Sequence, residues 1–251
     1  MVTITIANKK GGSGKTSTAL ALVDAAVRAG KKVLAVDMDP QGNLSATLGA
    51  DRELVGSAEL LLKKEARLED YVQDLGGGLA LVAGSGELVD VELQLIKTVG
   101  KEMRLAEALA QAEGYDFCII DTPPSTGLLT VAALCATDKV VIAASADAYA
   151  ADGYAELAGD IASIKKYYNP GLNVDGILLT RYNERTTLAR QMIKEYRDLA
   201  EATGTRLYNA RIRECIAVRE AQYSHKLLSE YDAGCNAVQD YRGLAKELGV
   251  L

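Results

Sequence analysis

The stretch that most constrains this chain runs Asn8-Lys9-Lys10-Gly11-Gly12-Ser13-Gly14-Lys15-Thr16-Ser17-Thr18. An alternating, β-branched run, Val2-Thr3-Ile4-Thr5-Ile6, precedes it and reads as a strand. Leu20, Val23 and Val27 follow at helical spacing, with Ala19, Leu22 and Ala26 beside them. Strand, glycine-rich turn and helix are the context a phosphate-binding loop requires. Glycines let the backbone fold tightly and aim its N–H groups inward. The helix N-terminus adds its dipole. In such a loop the backbone of Gly11, Gly12, Ser13 and Gly14, with Thr16 and Ser17 at the start of the helix, cradles a polyphosphate. Lys15 reaches the β and γ phosphates, and the Thr16 hydroxyl sits on Mg²⁺. The bland alternative, a glycine turn that binds nothing, does not account for both flanking elements.

The usual loop, G-x-x-x-x-G-K-[ST], has a glycine five residues before Gly14, where this chain has Lys9. The chain instead reads Lys-Gly-Gly-x-Gly-Lys-Thr, with an additional lysine at Lys10. This resembles the deviant Walker A motif of the ParA/MinD superfamily of ATPases. The resemblance implies that Lys10 crosses a dimer interface to the phosphates of the partner's ATP, joining Lys15 and the loop in binding nucleotide and in catalysis.

Two more segments deliver carboxylates. The apolar run Val33 to Val36 ends in Asp37-Met38-Asp39-Pro40-Gln41-Gly42-Asn43. Carboxylates at the carboxyl end of a parallel strand lie beside the phosphate loop in a doubly wound sheet. The segment resembles the superfamily's Asp-x-Asp-Pro-Gln-Gly-Asn. By that resemblance Asp39 polarises the attacking water at the metal, and Asp37 supports the metal shell and the turn. A capped turn in which Asp and Asn only satisfy backbone N–H groups is the plainer reading. Further on, Tyr115-Asp116-Phe117-Cys118-Ile119-Ile120-Asp121-Thr122-Pro123-Pro124-Ser125 is a buried strand with a carboxylate at its tip. Asp121 takes the Walker B role of holding magnesium, and the two prolines end the strand. The implied cofactors are ATP and Mg²⁺.

The rest of the chain carries less chemistry. Residues 51–75 and 87–112 read as helical, the latter with Leu105, Ala108, Leu109 and Ala112 on one face, and Leu79 to Val82 reads as a short strand. Lys139 to Ala144 reads as a strand, 145–153 as a loop in which Asp147 and Asp152 are candidate partners of Lys10, and Tyr154 to Tyr168 as a helix. Val174 to Thr180 is a strand followed by a turn, Thr180-Arg181-Tyr182-Asn183, that resembles the superfamily's adenine-side turn. Arg181 and Asn183 in that turn, and Arg213 further on, are the candidate nucleotide contacts on that side. The helix 187–203 is expected to turn Leu188, Met192, Tyr196 and Leu199 inward. After a last strand, Arg206 to Ile212, the chain has Ile212-Arg213-Glu214-Cys215 where ParA and Soj proteins commonly show Ile-Pro-Arg-Asn, a departure nearer to plasmid or mobile-element members. A helix, Asn236 to Leu248, closes the chain.

These elements predict a three-layer α/β/α P-loop fold with a mainly parallel, twisted sheet of about seven strands. The 251 residues are expected to form one domain. No apolar run reaches transmembrane length, and the chain starts directly on a strand, so neither a membrane span nor a signal peptide is expected. Cys118, Cys135, Cys215 and Cys235 lie too scattered for a Cys-x-x-Cys pair and read as thiols of a reducing cytosol. His225 is the sole histidine, which argues against chemistry built on a histidine base.

A net charge of −6 argues against a nucleic-acid binder, but the charge is uneven. Residues 185–251 hold 11 Lys and Arg against 9 Asp and Glu, leaving the first 184 residues with 17 against 25. The DNA-binding candidates are Arg211, Arg219, Lys226, Arg242 and Lys246; taken singly, each also reads as a solvated surface residue. The resemblance as a whole implies a ParA-type partitioning ATPase, cytoplasmic and nucleoid-associated. Its ATP-bound homodimer would bind non-specific DNA and be released when a ParB-type partner stimulates hydrolysis. Only nine residues precede Lys10, too few for an operator-binding helix-turn-helix. The alternatives are a MinD-like membrane-cycling ATPase and a metabolic or redox relative. The tail 241–251 has two basic residues and no bulky wedge after Tyr241, unlike an interfacial helix. The cysteines do not sit in the glycine-rich loops that a cluster-bearing relative uses.

Overall fold

Hydrophobic alternation and buried apolar runs sort this chain into strands of one common sheet, most of them followed by a helix that packs on a face of it. The computed structural model describes residues 1–51, 53–145 and 150–251, without the side chains of 150–153, 155 and 156. The chain begins with β1 (Val2–Ala7), α1 (Lys15–Arg28), β2 (Val33–Asp37), α2 (Asn43–Leu48) and α3 (Ser57–Leu62). It continues through β3 (Gln73–Gly76), β4 (Leu79–Val82), α4 (Leu88–Gln94), α5 (Arg104–Leu109), β5 (Phe117–Asp121) and α6 (Leu128–Cys135). Then come β6 (Lys139–Ser145), α7 (Ala150–Tyr167), β7 (Asn173–Tyr182), α8 (Thr187–Ala202) and β8 (Leu207–Arg213). The helices α9 (Ile216–Tyr223), α10 (Leu228–Tyr231) and α11 (Asn236–Leu248) end it.

The sheet order is β3-β4-β2-β5-β1-β6-β7-β8. Every neighbouring pair is parallel except β3 with β4. Successive side chains point to opposite faces of a strand, and the core divides accordingly. Ile4, Ile6, Val33, Ala35, Ile119 and Val141 pack on one face with α1 and α11. Leu34, Val36, Cys118 and Ile120 pack on the other with α3 to α6. Val140, Ile142 and Leu179 extend that second layer under α7 and α8. The expected three-layer α/β/α arrangement is therefore present.

Four details differ from the sequence expectation. The sheet has eight strands because Gln73–Gly76, read as helical, folds back as an antiparallel edge strand. Gly76, Gly77 and Gly78 all take positive φ, which reverses the chain and pairs Gln73 with Leu81. Strand β7 runs on through Arg181 and Tyr182, where a turn was expected, since Tyr182 still pairs with Arg213 of β8. Helix α7 starts at Ala150, earlier than expected. Leu188 is exposed, and the inward face of α8 is Ala189, Met192, Tyr196 and Ala200, one position round from the predicted start.

The register brings the chemistry together. Asp37 at the end of β2 stands opposite Asp121 at the end of β5, and Asp121 stands opposite Ile6 near the end of β1. Three parallel strands thus deliver two carboxylates and the start of the glycine loop to the same level of the sheet.

Candidate nucleotide site

The glycine loop leaves β1 and turns directly into α1. Gly14, which caps α1, has φ 87°, and an added Cβ would meet the Thr180 side chain at 3.3 Å. Positive φ and close packing together require glycine there. Thr180, from the end of β7, donates its hydroxyl to the Ser13 carbonyl at 2.7 Å. Asn8 supports the other side of the loop. Its amide donates to the Ala143 carbonyl at 2.6 Å, and its carbonyl oxygen accepts from the Lys10 N–H at 2.9 Å. The loop is thus tied to β6 and β7 before any ligand arrives.

Lys15 is 6% exposed, and its ammonium donates to the Lys10 carbonyl at 3.3 Å. Burial lowers its pKa, against the pull of the Asp121 and Asp39 charges. Asp121 is fully buried. Desolvation, followed by the nearby Asp37 charge, raises its carboxyl well above the usual range, while Thr16 and Lys15 pull it down. Asp37 is raised to about 6, mainly by burial. It accepts from the Ser45 N–H at 2.9 Å, from the Ser45 hydroxyl at 2.7 Å and from the Asp39 N–H at 3.1 Å. Gly84 presses on it so closely that a Cβ there would sit 2.8 Å from the Asp37 carbonyl oxygen. Asp37 therefore holds the turn that presents Asp39. Asp39 is 7% exposed and lines the cleft, accepting from the Gln41 N–H at 3.0 Å.

Three carboxylates and one ammonium crowd one small buried volume. Asp121 Oδ2 is buried with no hydrogen-bond partner among the described residues, as is the Ser13 hydroxyl in the glycine loop. Burying an excess of negative charge without a partner is costly. Hard oxygen donors with an unsatisfied carboxylate oxygen fit a divalent cation such as Mg²⁺. Thr16, Asp39 and Asp121 are the residues that would hold it.

A cleft of about 750 Å³ opens from this point, lined by Gly11 to Ser17, Asp39, Asn43, Pro124, Thr180 and the segment around residues 212–225. That size suits a nucleotide. Lys10 is half-buried and lies outside this lining. The far wall carries Arg181, Arg213, Glu214 and Arg219. Arg181 and Arg219 both pair with Glu214, at 3.4 and 3.0 Å, and Arg213 grips Asp240 at 2.6 Å. Arg181 itself has φ 51°, a left-handed backbone conformation that a residue with a side chain rarely adopts. Of the adenine-side candidates, Arg181 and Arg213 thus stand at the cleft, and Asn183 is not among its lining residues.

The DNA-binding candidates are not gathered into one patch. Arg219 is in the cleft wall. Arg211 stacks over the Tyr182 ring, its guanidinium carbon 5.6 Å from the centroid. Lys226 and Arg242 line a separate groove against α1, beside Arg28. Lys246 is exposed in the last turn of α11. Asp147 and the Asp152 side chain lie outside the described residues. Sequence reasoning missed Thr180, whose contact to Ser13 spans 167 positions. It missed Gln222 as well, whose side chain donates to the Ser17 hydroxyl at 3.0 Å. A lone Thr at a strand end and a Gln in a helix carry no local signal.

Comparison with known proteins was consistent with this geometry. A family described as an AAA domain matches residues 1–174. The sporulation initiation inhibitor protein Soj of Bacillus subtilis is 35% identical over 248 residues, covering 98% of this chain and 97% of that protein. The chromosome partitioning protein ParA of Caulobacter vibrioides is 34% identical over 250 residues, with 98% and 92% coverage. Among solved structures, cobyrinic acid a,c-diamide synthase of Mycobacterium smegmatis with bound ADP and magnesium superposes with a TM-score of 0.84 at 29% identity, covering 98% of this chain and 93% of that one.

Proposed function

The chain belongs to the ParA/Soj family of P-loop ATPases, and from that premise we propose that it is a DNA-partitioning ATPase whose ATP-bound homodimer binds DNA without sequence preference. The observation that carries the reading is the buried group of Lys15, Asp37, Asp39 and Asp121 at the strand ends beneath the glycine loop. Phosphoryl transfer relies on positioning and charge neutralisation more than on covalent chemistry. The N–H groups of residues 11–16 and the Lys15 ammonium bind the phosphates. Thr16, Asp39 and Asp121 hold Mg²⁺, which supplies further neutralisation of phosphate charge. Asp39, at the cleft surface, orients the attacking water. Lys10, outside its own cleft, serves the partner subunit's nucleotide across the dimer. Arg181 and Arg213 contact the adenine side.

Arg211, Arg219, Lys226, Arg242 and Lys246 contribute DNA phosphate contacts. Spread over one subunit they bind weakly; two copies held in one dimer raise their effective concentration and make binding depend on ATP. A ParB-type partner stimulates hydrolysis and releases the dimer, in the cytoplasm and on the nucleoid. The chain folds as one unit over residues 1–251. A MinD-like membrane cycle finds less support. No helix among the described residues is long and apolar enough to cross a membrane, so the membrane device to weigh is an interfacial helix. The apolar face of α11, with Leu244, Ala245 and Leu248, is packed into the core and not available to a bilayer surface.

The test is binding of purified protein to unrelated DNA duplexes and to anionic lipid vesicles, each with and without Mg²⁺ and ATP, across a salt series. The expected result is ATP-dependent DNA binding that falls steeply with salt and ignores sequence. ATP-dependent vesicle binding without DNA binding would overturn the reading in favour of a membrane cycle.

A further inference from the structure

Two of the four cysteines meet although twenty positions separate them. The sulfurs of Cys215 and Cys235 lie 2.7 Å apart. Cys215 precedes α9, is half-buried and lines the nucleotide cleft. Cys235 is buried and precedes α11. Among the described residues no His, Cys, Asp or Glu joins them in a metal-binding group. Both thiols are free.

The chain between them is one wall of the cleft. Val218, Arg219, Gln222, Tyr223 and His225 all face the cleft from it. Its apolar anchors are small or only partly buried: Ala217 and Ala221 are its buried side chains, Val218, Leu227 and Leu228 pack half-buried against the core, and Ile216 and Tyr223 are 71% and 89% exposed. Polar contacts add little, chiefly Gln222 to the Ser17 hydroxyl and Tyr231 to Glu220 at 3.2 Å. A segment with few buried contacts opens locally at low free-energy cost. A covalent link between its two ends limits that opening.

We propose that Cys215 and Cys235 are a redox-responsive dithiol that closes into an intramolecular disulfide in the presence of a low-molecular-weight disulfide, stapling the ends of the cleft wall. Cys215 is the attacking thiol because it is the one with solvent access. Its thiolate displaces one thiol from the small disulfide and forms a mixed disulfide. Cys235 then loses its proton to solvent, attacks the Cys215 sulfur and expels the second thiol. The two protein thiols are oxidised, and the small disulfide is reduced to two thiols. Cys118 and Cys135 are internal controls: burial raises both thiols, as it raises Cys235 to about 11, but neither takes part in the sulfur–sulfur contact that brings Cys235 to Cys215.

The experiment treats the full chain with reduced or oxidised glutathione, maps the disulfide by peptide mass spectrometry, and measures hydrogen exchange over residues 216–234. Oxidation is expected to remove two hydrogens, to link Cys215 with Cys235, and to slow exchange in the segment roughly tenfold or more. Cys215→Ser and Cys235→Ala should each abolish both changes. Thermal melting of each reduced variant confirms that it is folded. In the wild type, a stable mixed disulfide, linkage through Cys118 or Cys135, or a Cys215–Cys235 bond that leaves exchange unaltered would overturn the proposal; in Cys235→Ala a trapped mixed disulfide at Cys215 is the expected product.

Discussion

The two ends of the cleft are built on different physics. At the phosphate end the groups are buried, few and held by backbone: Asp37 accepts three hydrogen bonds, Asp121 is fully enclosed, and the loop is pinned by Asn8 and Thr180. At the far wall the charges are exposed and paired with one another, as Arg181 and Arg219 share Glu214. Preorganisation in a dry site makes each group matter, whereas exposed ion pairs contribute little. The difference teaches that chemistry is anchored where the sheet ends and adaptability lies where short helices cover it.

The comparison breaks most easily at Asp39. Asp39→Ala should retain ATP binding and lower turnover by about two to three orders of magnitude, as loss of a transition-state contact does; phosphate release under single-turnover conditions measures it. Next comes Lys15→Ala, which removes the ammonium from a buried cluster of carboxylates. Losing one charged partner of a desolvated contact in a complex costs about 2–5 kcal/mol, so if Lys15 meets the phosphates nucleotide affinity should fall by about a hundredfold or more in equilibrium titration.

Thr180→Val sharpens the contrast without touching a charge. It leaves the buried Ser13 carbonyl without its donor, and urea denaturation should show a loss of about 1–3 kcal/mol. The smallest effects belong to the far wall. Arg213→Ala breaks a two-pronged contact to Asp240 on a partly exposed side chain and should cost about 1 kcal/mol or less, with Arg219→Ala smaller still. Equal stability losses at Thr180 and Arg219 would erase the distinction between the two ends.

The phosphate end was legible in the sequence because its groups lie in short contiguous runs with fixed spacing. Residues 8–18, 37–43 and 115–125 each place a candidate side chain at or just after a strand end, and the register brings those ends together. The far wall was not legible, since its contacts join distant positions. Arg213 meets Asp240, Gln222 meets Ser17, and Cys215 meets Cys235, and no local pattern announces any of them. Strand β3 escaped notice for a related reason. Gln73-Asp74-Leu75-Gly76 has no β-branched residue, and only the glycine turn after it makes the pairing. Counting charge along the chain did not say which basic residues share a surface: Lys226 and Arg242 line one groove with the distant Arg28, whereas Arg219 lines the cleft and Arg211 stacks on Tyr182.

The central claim is that nucleotide in this cleft drives two subunits together through a lysine that acts on the partner's site. Light scattering of the wild type and of Lys10→Ala, each saturated with Mg²⁺ and ATP, tests it directly. The account predicts an ATP-dependent dimer for the wild type, and a monomer for Lys10→Ala that still binds nucleotide measurably. An unchanged dimer fraction in Lys10→Ala would contradict it.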